Sequence, residues 1–338
     1  MAWRYIELHT TDPTFNLAVE QYVFDRLPRE HSYFMLWQNA PSVIIGKHQN
    51  AYAEINADYV REKHIQVVRR LSGGGAVYHD LGNLNFTFVQ DGTSSRLDLS
   101  LFCDPVAKTL RELGAPAEVN GRNDITVQGM KISGNAQYVR EGRVMHHGTL
   151  LFDADLEAAA QALKPTAEKL RSKGVASVRS RMTTLSRHLP QGTTLAEFKD
   201  RFLRQLFAGQ PMEPYTLNQE DLDAIEAIRA ERYALPQWNF GQSPPCDLVY
   251  SGRIEGCGTV ELHFRIEKGR ISRSELHGDF FTNQDPAPLA DAFLGCAPEY
   301  SDYAGVLAAI DPEEYIRSLS KEDFLFLLKK QQIGTCKE

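Results

Sequence analysis

Cysteine is scarce in this chain, with five among 338 residues, at Cys103, Cys246, Cys257, Cys296 and Cys336. The set is odd and holds no C-x-x-C pair, so neither a disulfide framework nor a zinc knuckle is expected, and the thiols should be reduced. Long apolar runs are also missing. No stretch approaches the roughly 18 residues of a membrane span, and Arg4 and Glu7 interrupt the start where a secretory signal needs unbroken apolarity. A cytoplasmic protein without a membrane partner is the expectation. Positive charge is in deficit as well: 37 Lys and Arg face 44 Asp and Glu, a net charge of -7. That balance argues against a broad phosphate-binding surface, hence against a nucleic-acid partner, while leaving room for a local basic patch. No G-x-S-x-G elbow offers a serine nucleophile.

What is present suits two domains, since the chain exceeds a typical core of about 150 residues. Thr11-Asp12-Pro13 is a capping side chain before a proline, and Phe15, Ala18 and Tyr22 recur at helical spacing, which predicts a helix from Pro13 to about Leu27 carrying Glu20. Tyr33 to Gln38 and Ser42 to Gly46 read as two strands of a hairpin around Asn39-Ala40-Pro41. Val67 to Leu71, Ala76 to His79 and Leu84 to Val89 are further strands, and Leu101 to Leu113 a helix stopped by Gly114. Ile125 to Val127 and Lys131 to Val139 should pair around Gln128-Gly129, followed by a strand from Val144 to Phe152. Lys164 to Arg187 is basic, aperiodic and expected to be a partly mobile loop, before helices at Leu195 to Phe207 and Gln219 to Arg229. Punctuation thickens around Trp238 to Pro245. The domains are therefore placed at 1–246 and 250–338.

The most informative string is Arg69-Arg70-Leu71-Ser72-Gly73-Gly74-Gly75-Ala76-Val77-Tyr78-His79-Asp80. Three glycines let backbone N–H groups approach an anion, and two guanidinium groups supply fixed charge, which suits a phosphate or carboxylate. It is no P-loop, which needs Gly-Lys-Ser/Thr, and Tyr78 stands where a dinucleotide fingerprint needs its third glycine. His146 and His147 are adjacent on a strand, so they face opposite ways and cannot easily chelate one metal; one of them is expected to line a site. His79 suits acid/base chemistry or fixes the loop through Asp80.

That string, with Gly121-Arg122-Asn123-Asp124-Ile125, Lys131-Ile132-Ser133-Gly134-Asn135-Ala136-Gln137, His146-His147-Gly148-Thr149 and Gly174 to Arg181, resembles in order and spacing the lipoate-protein ligases. Phe15 to Glu20 and Trp238-Asn239-Phe240-Gly241 extend the likeness over most of the chain. The resemblance implies an α+β catalytic domain of mixed, mostly antiparallel sheets flanked by helices, similar to the biotin/lipoate ligase (class II synthetase-like) fold, with a small α+β C-terminal domain. It implies activation of lipoate by ATP to lipoyl-AMP and transfer to a lysine of a lipoyl domain, on a 2-oxoacid dehydrogenase acyltransferase subunit or the glycine cleavage H protein. Octanoate is an alternative acid. The matching lysine, Lys131, would contact both substrates, placing an ammonium between two anions that must meet. Arg70, Gly75, Ala76, Val77 and Tyr78 match ATP-binding positions; Ser72, Gly73, Gly74, His79, Trp37, Glu20 and His147 are assigned with Lys131 to lipoate. Ser177, Val178, Arg179, Ser180 and Arg181 match an adenylate-binding loop, expected to close on ligand. Asp124 would hold Mg²⁺ or orient Lys131.

Two other readings compete. An octanoyl or lipoyl transferase of the same superfamily would need a nucleophilic cysteine, and Cys103 is the one in the first domain proper, on an amphipathic helix outside the motifs. A non-catalytic acyl-binding module has no use for both Lys131 and the basic loop.

Overall fold

The structure, a computed structural model, describes residues 3–92, 98–121, 123–163, 181–240, 248–267 and 270–329. Its first compact unit comprises Met1–Ile45, Ala51–Leu71 and Ala76–Phe240; the second gathers Gly46–Asn50, Ser72–Gly75 and Gly241–Glu338. The boundary expected at residue 246 falls within 241–247, outside the described residues.

The first unit is built on an eight-stranded mixed sheet in the order β11-β1-β2-β6-β10-β9-β8-β7. Its strands are β1 (Trp3–Glu7), β2 (Ser32–Trp37), β6 (Asn83–Asp91), β7 (Ala117–Asn120), β8 (Asp124–Val127), β9 (Met130–Arg140), β10 (Arg143–Leu151) and β11 (Met212–Pro214). Pairing is parallel at the β11-β1-β2 end and antiparallel from β2 through β7. A smaller sheet, β4-β3-β5, uses β3 (Ser42–Ile45), β4 (Gln66–Arg69) and β5 (Val77–His79).

Both faces of the large sheet are covered, which is why β6 is buried from Asn83 to Val89. On one face Tyr33, Met35, Trp37, Val89 and Met145 pack with the Pro13–Asp25 helix. That helix starts as predicted: the Asp12 carboxylate accepts from Thr14 N at 2.8 Å, and Pro13 occupies the first turn. On the other face Phe34 and Phe88 meet Phe207, and Phe88 meets Phe102.

The expected hairpin of Ser32–Trp37 with Ser42–Ile45 does not form. β2 pairs with β1 and β6 while β3 pairs with β4 and β5, so the chain changes sheet at Asn39-Ala40-Pro41. Buried Asn39 makes the corner, its side-chain Oδ1 accepting from Asn16 Nδ2 at 3.0 Å, and Ala40 N donates to Thr11 O at 2.8 Å. These bonds satisfy the connection without a hairpin ladder. Of the basic segment expected to be a loop, 164–180 lie outside the described residues, with Ser177, Val178, Arg179 and Ser180 among them. Its end departs from expectation: Thr183 to Leu185 are buried and Leu185–Arg187 forms a 3-10 turn.

The second unit carries an antiparallel sheet of β12 (Leu248–Ile254), β13 (Gly258–Glu267) and β14 (Arg270–Gly278). Val260, Leu262 and Phe264 alternate inward against Tyr303, Leu307, Phe324 and Leu327 of two helices. No helix among the described residues is long and apolar enough to cross a membrane.

Candidate active site

Lys131 is set by a tight turn and a bulge. Gln128 and Gly129 both adopt positive φ, 53° and 76°, joining β8 to β9 in two residues. The register then slips, Thr126 opposing Lys131 but Ile125 opposing Ser133, and such a bulge re-aims side chains. The Lys131 ammonium lies 2.7 Å from the Asp124 carboxylate, each side chain about one-third exposed (32% and 34%). It occupies the room that Gly134 leaves: a Cβ there would sit 2.9 Å from Nζ and 3.1 Å from Cε. The backbone is fixed from outside the hairpin too, since Thr183 N donates to Lys131 O at 3.0 Å and Met182 bridges to Lys131.

A buried polar chain crosses the sheet face beneath the Pro13–Asp25 helix. Glu20, 1% exposed, accepts from Thr87 Oγ1 at 2.6 Å and from His147 Nδ1 at 3.0 Å. Thr87 in turn accepts from Trp37 Nε1 at 3.0 Å. Hydroxyl and imidazole donors thus replace part of the hydration the buried carboxyl gives up. The Glu20 contact fixes the proton of His147 on Nδ1.

His79 is oriented by a second relay. Asn16 Nδ2 donates to Asn39 Oδ1, so the Asn39 amide presents its NH₂ to His79 Nδ1 at 3.1 Å. Burial, then the nearby charge of Arg70 and His147, pushes the His79 pKa down to about 3. The ring is therefore neutral, with Nδ1 accepting and the proton on Nε2, a buried atom that has no hydrogen-bond partner among the described residues. Trp37 lies edge-on to this ring, centroids 6.1 Å apart.

Arg70 supplies the cluster's positive charge. It is buried, its N donating to Ile45 O at 3.0 Å and its Nη1 to Ile44 O at 3.1 Å. Burial lowers its pKa to about 10, opposed by the Glu20 charge, so it stays protonated at neutral pH. Asp124, Lys131, Glu20, Trp37, His79, His147 and Arg70 thus all belong to the first unit. Tyr78 does as well, but its ring lies in a hydrophobic cluster with Val43, Ile45 and Val67, and burial pushes its phenol up to about 12.

Ser72, Gly73, Gly74 and Gly75 are grouped with the second unit. There Gly74, at φ 88°, donates its N–H to Phe280 O at 3.1 Å, and Lys47 N donates to Ser72 O at 2.9 Å. A Cβ on Gly73 would lie 2.3 Å from Phe280 O, so glycine is obligatory for this approach. A Cβ on Gly75 would meet nothing within 4 Å.

His146 and His147 divide as strand alternation requires. His146 points to the opposite face, stacked on Phe102 at 4.8 Å; Gln137 Nε2 is 3.1 Å from its Nδ1, and its Nε2 is 3.2 Å from Asn135 Oδ1. Both ring nitrogens are satisfied, which is a structural role. Cys103 is fully buried on the Ser100–Glu112 helix, where burial pushes its thiol up to about 12, far from the thiolate a nucleophile needs. Among the described residues no group of three or more His, Cys, Asp or Glu is arranged to hold a metal. Sequence reasoning overlooked Thr87, Asn16 and Asn39. Thr87 left one signal: a hydroxyl between Phe86 and Phe88 in a strand buried on both faces must find a partner.

Known proteins share much of this chain's sequence and fold. Residues 12–207 match the lipoyl protein ligase A/B catalytic domain, and residues 243–328 match the bacterial lipoate protein ligase C-terminus. The chain is 44% identical over 322 residues to a lipoate-protein ligase of Bacillus subtilis, covering 94% of this chain and 97% of that one. It is 38% identical over 319 residues to lipoate–protein ligase 1 of Staphylococcus aureus, with 94% and 97% covered. Among solved structures, lipoate-protein ligase A bound with ATP superposes with a TM-score of 0.63 at 26% identity, covering 71% of this chain and 99% of that one. An archaeal bi-partite lipoate protein ligase from Thermoplasma acidophilum, described with its E2 lipoyl domain, gives 0.63 at 28% identity, covering 71% and 97%.

Proposed function

We propose, for a chain that belongs to the lipoate-protein ligase family, that it joins lipoate to a carrier-protein lysine through an amide bond at the expense of ATP. The observation that carries this reading is the Lys131 ammonium, seated over Gly134 and held by Asp124, in a unit that also buries a second cation, Arg70.

The chemistry follows from charge. A lipoate carboxylate oxygen attacks the α-phosphorus of ATP, the bond to the β-phosphate oxygen breaks, and pyrophosphate leaves; the product is lipoyl-AMP. Two anions must approach, and Lys131 and Arg70 offset their repulsion while stabilising charge that develops in transfer. Backbone N–H groups of Gly75 to Tyr78 are the nucleotide's further donors, and Ser72 to Gly74 border the acid. Trp37, Glu20, His79 and His147 form the acyl end, where the Nε2 proton of His79 is a donor for the acid. In the second step the carrier lysine amine attacks the acyl carbonyl, AMP departs, and the amine's extra proton leaves to solvent or a base. No enzyme thiolate takes part.

Mg²⁺ fits this donor set only as a companion of the nucleotide phosphates, which commonly supply most of its ligands beside one or two carboxylates. Asp124 is the carboxylate we assign to it, and when bound the ion would neutralise phosphate charge. The carrier is a lipoyl domain or the H protein, and octanoate is the second acid. We assign catalysis to residues 1–246 and an accessory role to 250–338.

The test is one assay of the purified chain with ATP, an apo lipoyl domain and either acid. Pyrophosphate release that depends on lipoate, with lipoyl transfer, is expected. Transfer from an acylated carrier without ATP would instead identify a transferase, and binding without either product a non-catalytic module.

A further inference from the structure

β4 is an edge strand, and its last residue, Arg69, directs its N–H and C=O away from β3, because Val68 and Arg70 face that neighbour. An edge of this kind ordinarily leaves both groups to water. Here two side chains take them. Asn239 Oδ1 accepts from Arg69 N at 3.0 Å, and Trp238 Nε1 donates to Arg69 O at 2.8 Å. The arginine side chain reciprocates, its Nε donating to Trp238 O at 3.0 Å. The pair is itself held. Asn239 Nδ2 donates to Tyr233 O at 2.7 Å, which fixes the amide's orientation, and the Arg232 guanidinium lies 4.7 Å over the Trp238 ring. Both Arg232 and Tyr233 belong to a π-helical turn, Arg229–Tyr233, a geometry that occurs mostly as single turns near functional sites.

Trp238 and Asn239 lie between the stretches matched to the two ligase domains, 12–207 and 243–328. They behave as one residue of a fourth strand supplied by side chains. Their target is the peptide immediately before Arg70, whose own N–H and guanidinium are tied from the other side, to Ile45 O and Ile44 O. With the peptides on both sides of Arg69 fixed, so is the Cα from which Arg70 sends its buried guanidinium.

We propose that Trp238 and Asn239 are positioning residues for the ligase reaction: by completing the outer edge of β4 at Arg69 they aim Arg70 at the substrate anions. This rests on the reading of Arg70 given under Proposed function.

Asn239→Leu removes both side-chain hydrogen bonds while keeping the branched shape, and Trp238→Phe removes one N–H while keeping a ring. Each would be made in the full chain, alone and combined with Arg70→Lys, and followed by pyrophosphate release with ATP and lipoate and by thermal melting. KM for ATP or lipoate should rise about tenfold in each clamp variant, within the range that sub-ångström misplacement costs, and combining either with Arg70→Lys should add less than the product of the separate effects. A lowered melting temperature with unchanged KM and kcat would make the clamp purely structural and overturn the proposal, as would fully multiplicative effects. If Arg70→Lys alone leaves KM and kcat unchanged, the reading of Arg70 is what fails. Should Asn239→Leu not fold, Trp238→Phe decides by the same criteria.

Discussion

Gly134→Ala isolates the seat of Lys131. The added methyl would lie 2.9 Å from Nζ and 3.1 Å from Cε, inside the carbon contact distance of about 3.5–4 Å, so the ammonium must retreat by roughly 0.5–1 Å. The obstacle is the free end of a flexible side chain, so the fold loses little. The retreat weakens the 2.7 Å contact with Asp124, but at one-third exposure such a pair is worth only about 0–1 kcal/mol. Stability should therefore change by less than about 1 kcal/mol, and the Gly134 N–H still reaches Thr149 Oγ1 at 3.1 Å. Catalysis has no such tolerance. A charge displaced by up to an ångström from the path of phosphoryl transfer should cost about tenfold to a hundredfold in kcat, or about 1.4–2.7 kcal/mol of barrier. The assay is lipoate-dependent pyrophosphate release beside a thermal melt, with Lys131→Ala as the reference background. Gly134→Ala added to Lys131→Ala should do no further harm. A full rate in the single variant, or a loss explained by unfolding, would refute the seat.

Lys131→Ala should slow adenylation by about a hundredfold to a thousandfold, as losing one preorganised transition-state donor does; pyrophosphate release at the wild-type rate would remove Lys131 from the mechanism. Cys103→Ser buries a hydroxyl in an apolar helix face and should melt earlier, by about 1–3 kcal/mol, yet ligate normally at equal folded fraction; transfer abolished in folded protein would revive the thiolate route. His79 is neutral in the fold, its pKa near 3 against an ordinary 6.5. The neutral ring costs nothing above pH 6.5, and stability falls as pH drops towards 3, the loss amounting to about 2 kcal/mol at pH 5; urea melts at pH 7.5 and 5 should show that much less acid sensitivity in His79→Gln, and equal sensitivity would contradict the buried neutral ring.

Local signals were legible where neighbours in sequence decide the outcome. Asp12-Pro13 announced the first helix because a cap and a fixed φ act within one turn, and Gln128-Gly129 announced the hairpin that carries Lys131 because both residues needed positive φ. Strand alternation alone separated His146 from His147. What stayed hidden is non-local. Ser32–Trp37 and Ser42–Ile45 look like hairpin partners across three residues, but each finds better partners elsewhere, and nothing in either segment names them. Glu20 meets Thr87 and His147 across separations of 67 and 127 residues, and Arg69 meets Trp238 across 169. Resemblance supplied residue lists at these places, while the hydrogen bonds that give the lists a mechanism required the fold.

The division of β6 and β10 into two faces explains how the fold tolerates its polar cluster. Glu20, Arg70 and His79 are all buried, and burial costs each of them hydration. One residue along the same strands, Phe86 and Phe88 join Phe34, Phe102 and Phe207 in an aromatic layer on the opposite face. Such rings bury large apolar areas and gain further from edge-to-face packing. Even the polar member of that layer, His146, is satisfied at both nitrogens. The strands thus carry an apolar aromatic layer on one side and, at Thr87 and His147, the hydrogen-bond partners of the buried Glu20 carboxylate on the other. Alternation keeps them within one residue of each other, so the rigid aromatic layer fixes the backbone from which Thr87 and His147 reach Glu20.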